Sequence, residues 1–406
     1  MNTVTKKRLL FLLYFLGPGW IAMMADVDAP SVFTAIVAGE EFKFAFIIFL
    51  IILIIPLYLY QEAVARIGIL TKKGLAELIK NKYGKGWSMS VVGTMFFINM
   101  LSYVAEFAGI SAAGLIFGVP IFISVILVIL GHTFIVFTGS YKKVENILIF
   151  ISLLLFIFII TAITTRPNVV EIATGLFNFS KFNNLRFITL VLGLTGAVIM
   201  PWMLFYQQSA VVDKKLSLKD LKNEKRETLI GAIISEGLMT AIVITAAMTI
   251  YGKYQNMKIT SLAQLIIPLA GSFSPYIFAI GIIACGFLAG VVVSLSSAWS
   301  ISEYFGWSHS LNMNAFKAKK FYFLYLAEIL PAAIVPIFYN NLINIIIDSM
   351  VLNAVILPIL IVFIILISSN KSILHNFANS LWRTAIMWLF TAVIILSTVI
   401  YIILSV

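Results

Sequence analysis

The sequence has one cysteine and three histidines, and only 11% of its 406 residues are charged. A single thiol, Cys285, excludes any intrachain disulfide. His132, His309 and His375 are too dispersed to give the paired spacing that holds zinc. No nucleophile is followed by a base at useful spacing, and the glycine-rich pieces GPG and ACGFLAG lack the strand-to-helix context of a phosphate loop. The chain does not read as an enzyme, and no resident cofactor is expected. No segment is long and polar enough to form a separate soluble domain.

What fills the sequence is apolar. Hydrophobic residues make up 61% of it and the mean hydropathy is +1.06, far from the roughly half-apolar, quarter-charged composition of soluble domains. Runs of about 20 residues, each able to cross a hydrocarbon core of roughly 30 Å as helix, recur along the chain. Eleven are expected: approximately 9–38, 44–65, 87–116, 120–138, 147–165, 187–212, 229–251, 276–304, 321–339, 342–368 and 380–405. The composition therefore predicts an all-α integral membrane protein of eleven transmembrane helices, with the lipid bilayer as its main partner. The opening stretch MNTVTKKRLLFLLYFLGPGW offers no small-residue cleavage site and reads as a retained helix.

The formal net charge of +11 raises the question of nucleic acid, and the placement of the charge answers it. With the N-terminus cytoplasmic, the starting KKR and the alternate loops hold 21 of the 28 Lys and Arg. Lys43, Arg166, Lys181, Arg186, Lys253 and Lys258 fall on the other side. The positive-inside rule then predicts a cytoplasmic N-terminus and an extracytoplasmic C-terminus. The basic excess is topology and lipid contact, not nucleic-acid binding. Oligomeric state is not readable.

Nine of the 17 acids lie within or at the ends of these spans: Asp26, Asp28, Glu62, Glu106, Glu145, Glu236, Glu303, Glu328 and Asp348. Apart from Arg66 at the end of the second span and Arg383 at the start of the last, no Lys or Arg lies in the spans to pair with them. Acids at membrane depth without basic partners must be protonated, meet cations or face water. The asymmetry points to a cation or proton pathway. Glu62, Glu145 and Glu303, near cytoplasmic ends, read as capping or pinning residues. Glu106, Glu236 and Asp348 are candidates for the pathway itself.

Spans one and six are unusually long and carry Pro30 and Pro201 at mid-depth. A proline removes its own bond to the carbonyl four residues earlier, which frees the carbonyls of Asp26 and Ala197. Irregular backbone at that depth is tolerated only where it is buried in protein or lines a cavity. Two interrupted segments at corresponding positions of two halves point to a transporter with inverted repeats and a midplane site. Two ordinary proline kinks are the plainer alternative. Asp26 and Asp28 cannot share a site on an intact helix, but can in an extended segment. A freed carbonyl, the Met200 thioether and a carboxylate make a mixed hard and soft donor set, which suits a first-row transition metal better than magnesium or calcium.

These residues resemble a known family, the NRAMP divalent-metal transporters. GPGWIAMMADVDAPSVFTAIVAG is similar to that family's first span, where GPG precedes an Asp-Pro-Gly-Asn motif. GLTGAVIMPWMLFYQQSAVV resembles its sixth-span pattern, Ala-x-x-Met-Pro-His. QEAVARIGILTKKGLAELI and AEFAGISAAGLIFGVP look like its second and third spans, and YKKVEN like the entry to its fifth. The resemblance implies the LeuT-like fold: two inverted five-helix repeats, approximately 9–165 and 187–368, plus an accessory helix at 380–405, in one transporter domain. Ions would bind between the unwound centres of helices one and six. It further implies that Asp28 is the motif aspartate, Ala197 the carbonyl donor, Met200 the metal-binding methionine and Glu106 the third-span glutamate of a proton-linked network.

The departures from the pattern are specific. Ser31 stands at the motif asparagine, and the motif proline is displaced by one place to Pro30. Trp202 stands at the sixth-span histidine, Gln207 at a second histidine position, and Tyr103 at the third-span aspartate linked to proton transfer. Span nine offers Glu328 in place of an arginine, and the tenth-span glutamine falls near Met350, Asp348 and Asn353. The expected metal set is therefore Asp28, Met200, Ala197, Asp26, Ser31 and Gln207, with the family's proton-linked positions depleted. The expected activity is import of a divalent metal ion, manganese or iron(II), by alternating access across a cell membrane. The alternatives are a magnesium transporter of the same fold and an organic-solute carrier reusing the scaffold.

Overall fold

The computed structural model describes residues 16–177, 185–253, 274–338 and 343–405. Residues 9–15 of the expected first span, the opening KKR, Lys181 and Lys258 lie outside the described residues. Within them the regular structure is helical, in chain order α1 (Pro18–Asp26), α2 (Ala29–Phe42), α3 (Ile47–Thr71), α4 (Leu75–Tyr83), α5 (Lys85–Ile116), α6 (Ile121–Val136), α7 (Tyr141–Leu154), α8 (Ile157–Thr164), α9 (Val169–Gly175), α10 (Leu185–Val198), α11 (Pro201–Asp213), α12 (Leu221–Ile250), α13 (Ser274–Phe305), α14 (Lys319–Phe338), α15 (Ile343–Ser368), α16 (Lys371–Leu374) and α17 (Leu381–Ser405). Among the described residues nine helical segments are long and apolar enough to cross a membrane, α7 with α8 and α10 with α11 each counting as one, or ten if the bent pair α1 and α2 is one span. The remaining expected span coincides with α6, a shorter apolar helix of 16 residues.

The spans carrying Pro30 and Pro201 are both broken, whereas Pro56, Pro331, Pro336 and Pro358 lie inside continuous helices. α1 ends at Asp26, Val27 and Asp28 leave helical geometry (Asp28 φ −91°, ψ 172°), and α2 departs at 44° to α1. Pro30 falls in the first turn of α2, where a missing N–H removes no helical bond. α10 ends at Val198, Met200 is extended (φ −98°, ψ 142°), and Pro201 starts α11. In each case the proline terminates one half-helix by opening the next.

Packing puts these breaks at the centre. The most apolar stretch of α10 and α11 is 83% buried inside the protein, against 22% for α17. The last helix is therefore peripheral, and the broken helix is enclosed. α12 packs on α1, α2 and α3, α5 on α13, and α10 on α15. That last contact is backbone-close: a Cβ on Gly196 would lie 1.9 Å from the Met350 carbonyl oxygen, so only glycine fits. Large apolar side chains such as Phe134, Phe150 and Leu389 face outward, as a lipid-facing surface requires.

Three acids near the helix ends have structural partners. Glu62 accepts from Arg66 at 3.0 and 3.1 Å and from Arg383 at 2.5 Å, with the Lys225 ammonium at 2.9 Å. Glu145 meets Lys214 at 2.6 Å and Lys142 at 3.2 Å. Glu303 accepts the Ser209 hydroxyl at 2.5 Å. Among the described residues Asp26, Asp28, Glu106, Glu236 and Glu328 have no basic partner of the kind that Glu62 and Glu145 have.

Candidate metal-ion site

The two breaks meet through Asp28, Ser31 and Ala197. Asp28 is the N-cap of α2, and its Oδ1 accepts the Ser31 backbone N–H at 2.7 Å. This satisfies one of the amides that every helix start leaves open, at the end of the helix dipole that favours negative charge. The other oxygen, Oδ2, is buried and makes no hydrogen bond. Half of the carboxylate thus holds the fold, and the other half is available to a ligand.

Ser31 joins the second break to the first. Its hydroxyl donates to the Ala197 carbonyl at 3.1 Å, the carbonyl that Pro201 leaves without a helical donor. Glu106 approaches from α5: its Oε2 accepts the Ala29 backbone N–H at 3.1 Å, while Oε1 has no partner. The carboxyls of Asp28 and Glu106 are near neighbours. Gly109 permits the approach, since a Cβ there would come within 2.6 Å of the Ala29 Cβ.

Met200 is the residue immediately before α11, fully buried, at the point where the backbone is extended. Its sulfur accepts the Trp202 indole N–H at 3.1 Å. The sequence pattern gave no sign of this contact, because it depends on the turn that Pro201 starts. A carboxylate oxygen, a backbone carbonyl, a hydroxyl and a thioether are therefore grouped at two adjoining breaks. No Lys, Arg or His forms an ion pair with Asp26, Asp28, Glu106, Glu236 or Glu328 among the described residues. Nor do three or more His, Cys, Asp or Glu side chains converge there on a metal-sized site. The candidate donors are of mixed type, one carboxylate with backbone and sulfur.

Asp26 goes elsewhere. The break begins only at Val27, so Asp26 remains the last helical residue of α1 and does not share the extended segment with Asp28. It faces α12, beside Ser235 and Glu236, and all four carboxylate oxygens of Asp26 and Glu236 are buried without hydrogen-bond partners. The two acids form a pair across 210 positions of sequence.

Two expected site residues are not brought to the breaks. Gln207 lies on α11, and its amide donates to Glu224 at 3.0 Å and Thr228 at 2.8 Å, both on α12. It serves the packing of α1, α11 and α12: a Cβ on Gly19 would lie 2.4 Å from Thr228 Oγ1 and 3.1 Å from Gln207 Nε2. Asp348 is exposed on α15 near Arg186, because its position on that helix turns it away from the buried face carrying Met350 and Asn353. Asn353 itself is buried, with Oδ1 unpartnered.

The chain is similar to known proteins over nearly its whole length. The family model described as natural resistance-associated macrophage protein-like, Nramp, matches residues 19–404. The divalent metal cation transporter MntH of Bacillus subtilis is 25% identical over 402 residues, covering 95% of this chain and 90% of that protein. The MntH of Latilactobacillus sakei is 23% identical over 409 residues, covering 95% and 88%. Among solved structures, a manganese transporter of Eremococcus coleocola superposes with a TM-score of 0.77 at 20% identity, over 98% of this chain and 87% of that one. MhsT in complex with L-phenylalanine gives 0.67 at 16% identity, over 95% and 97%. The likeness extends over the whole fold.

Proposed function

The chain belongs to the Nramp family, whose model spans residues 19–404, and from that premise we propose that it imports a divalent metal ion, manganese or iron(II), by alternating access. Members of this family are membrane transporters, and the chain is a multi-pass membrane protein, not an enzyme. The observation that carries the reading is the unpartnered, fully buried Oδ2 of Asp28 at the junction of two broken helices. A buried carboxyl without a basic partner, at a break that Ser31 ties to the Ala197 carbonyl and so to the segment carrying the Met200 thioether, favours a cation, and the sulfur favours a borderline-soft one.

Each donor has a role in this reading. Asp28 supplies charge, and the Ala197 carbonyl becomes a ligand when the Ser31 hydroxyl rotates away. Met200 supplies selectivity, with Trp202 holding its sulfur in the break. The cargo binds as substrate and leaves again, so a sparse set of donors suits it better than the closed cage of a resident metal. Oriented by its basic loops, the chain has a cytoplasmic N-terminus and lies in the plasma membrane. The matching breaks in spans one and six support two inverted repeats, 9–165 and 187–368, that rock about the site, with 380–405 outside them.

A second reading, magnesium transport on the same fold, is favoured by one observation: the Met200 sulfur is engaged by the Trp202 indole. A hydrated hard cation would then rely on Asp28 and, at the end of α1, Asp26. Uptake into proteoliposomes separates the two. If Met200→Ala abolishes manganese flux and spares magnesium flux, the thioether is a ligand and the first reading stands. Equal flux of both ions with and without Met200 selects the second.

A further inference from the structure

A second buried polar centre lies away from the helix breaks, between α5, α13 and α14. Glu328 on α14 is fully buried, and its Oε1 accepts the Ser297 hydroxyl at 2.8 Å. Ser297 in turn accepts from the Asn99 amide at 2.8 Å, and the same amide nitrogen donates to Ser296 at 3.2 Å. The donors therefore run in one direction, from Asn99 through Ser297 to the carboxyl. Such a chain stabilises the ionised carboxylate and leaves it without a counter-charge.

The acceptors around it are left over. Glu328 Oε2, Asn99 Oδ1, Ser294 Oγ and the Tyr325 hydroxyl are all buried and make no hydrogen bond. Asn99 Oδ1 belongs to the amide whose nitrogen bonds Ser297, the serine that donates to the carboxyl. Ser294 lies beside both Glu328 and the Tyr103 hydroxyl. Tyr325 precedes Glu328 by three positions on α14, which puts both on one helix face. Tyr103 bonds the His132 imidazole at 2.7 Å, and His132 Nε2 is at 3.0 Å from the Phe287 carbonyl, so both imidazole nitrogens are engaged elsewhere and form no ion pair with Glu328. Gly290 allows Tyr103 to reach this position, as a Cβ there would lie 3.2 Å from its hydroxyl.

We propose that Glu328, with Asn99, Ser294 and Tyr325, forms a binding site for an alkali-metal cation, sodium in particular, separate from the cargo site at Asp28. All four donors are oxygen, the ligand type of hard cations. One carboxylate among neutral oxygens balances a single positive charge, whereas a divalent ion would leave an excess charge in an apolar surrounding. A proton would serve one of the four orphaned atoms, but a cation serves several at once. α5 also carries Glu106, about two turns beyond Asn99, to the Asp28 break. One rigid helix therefore links sodium occupancy to the state of the cargo site.

The test uses the purified full-length protein without divalent metal, in sodium chloride against choline chloride at equal ionic strength and neutral pH. Wild-type protein is expected to melt at a temperature that rises saturably with sodium, and to bind radiolabelled sodium saturably. Glu328→Gln, a neutral side chain of the same shape, is expected to weaken the sodium response by at least tenfold, about 1.4 kcal/mol. Asp28→Asn is expected to retain it, which keeps this site distinct from the cargo reading whether or not metal is transported. If Glu328→Gln fails to fold, sodium binding by the wild type and by Asn99→Leu decides, with loss expected in the latter. No sodium response in the wild type, an undiminished one in Glu328→Gln, or stabilisation by acid alone would overturn the proposal.

Discussion

The Ser31 hydroxyl donates to the Ala197 carbonyl at 3.1 Å, joining the break in the first span to the break in the sixth. Residues 166 positions apart are held by one hydrogen bond at the place where both helices give up their own. Removing it should leave a buried carbonyl without a donor, a loss of about 1 to 3 kcal/mol. Ser31→Ala is therefore expected to lower the melting temperature of the metal-free protein. In the proposed reading the Ala197 carbonyl is released to bind cargo, so the same variant should bind metal no more weakly than wild type, and calorimetry of manganese binding checks this.

Asp28 caps α2 and, in the proposed reading, also binds the cargo, and substitution separates the two roles. Asp28→Asn keeps a side-chain oxygen to cap α2 but removes the charge, so folding should persist while metal affinity falls at least tenfold, about 1.4 kcal/mol. Asp28→Ala also loses the cap, which is worth about 1 kcal/mol. Melting curves alongside metal titrations distinguish the two variants. Equal affinity in Asp28→Asn and wild type would mean that the carboxylate is only a cap.

The Glu62 cluster should be a matter of stability alone. Glu62→Gln leaves the buried Arg66 guanidinium without its carboxylate, and Arg383 and Lys225 lose their common partner. Breaking a buried pair from one side destabilises by about 3 to 5 kcal/mol. Lower yield and a lower melting temperature are expected, with unchanged ion preference in whatever protein folds.

Two glycines make a matched pair. Gly196→Ala drives a Cβ into the Met350 carbonyl, so α10 must move off α15 at a loss of about 1 to 3 kcal/mol. Gly237 on α12 has nothing within 4 Å of its would-be Cβ, and Gly237→Ala should be neutral or slightly stabilising. Thermal melting of both variants measures the difference.

Much of this architecture can be read in the sequence, for reasons that differ by residue. The spans follow from apolar runs, and the breaks from Pro30 and Pro201, since proline acts on its own backbone. Asp28 is legible because a cap and its helix are neighbours in sequence. The Asp26 and Glu236 pair is not, because an enclosed membrane helix is apolar on every face and periodicity does not reveal which face meets which neighbour. The family pattern points to Gln207 and the count of intramembrane acids to Asp348, yet Glu224 and Thr228 capture the first and the outer face of α15 carries the second. The oxygen cluster around Glu328 comes from three helices and has no local signature at all.

The central claim is that Asp28 binds a transported divalent metal, and manganese flux into proteoliposomes tests it most directly. Wild-type protein should give saturable uptake that Asp28→Ala abolishes while still melting cooperatively. Absence of both manganese and magnesium flux in the wild type, or full flux in Asp28→Ala, would contradict it.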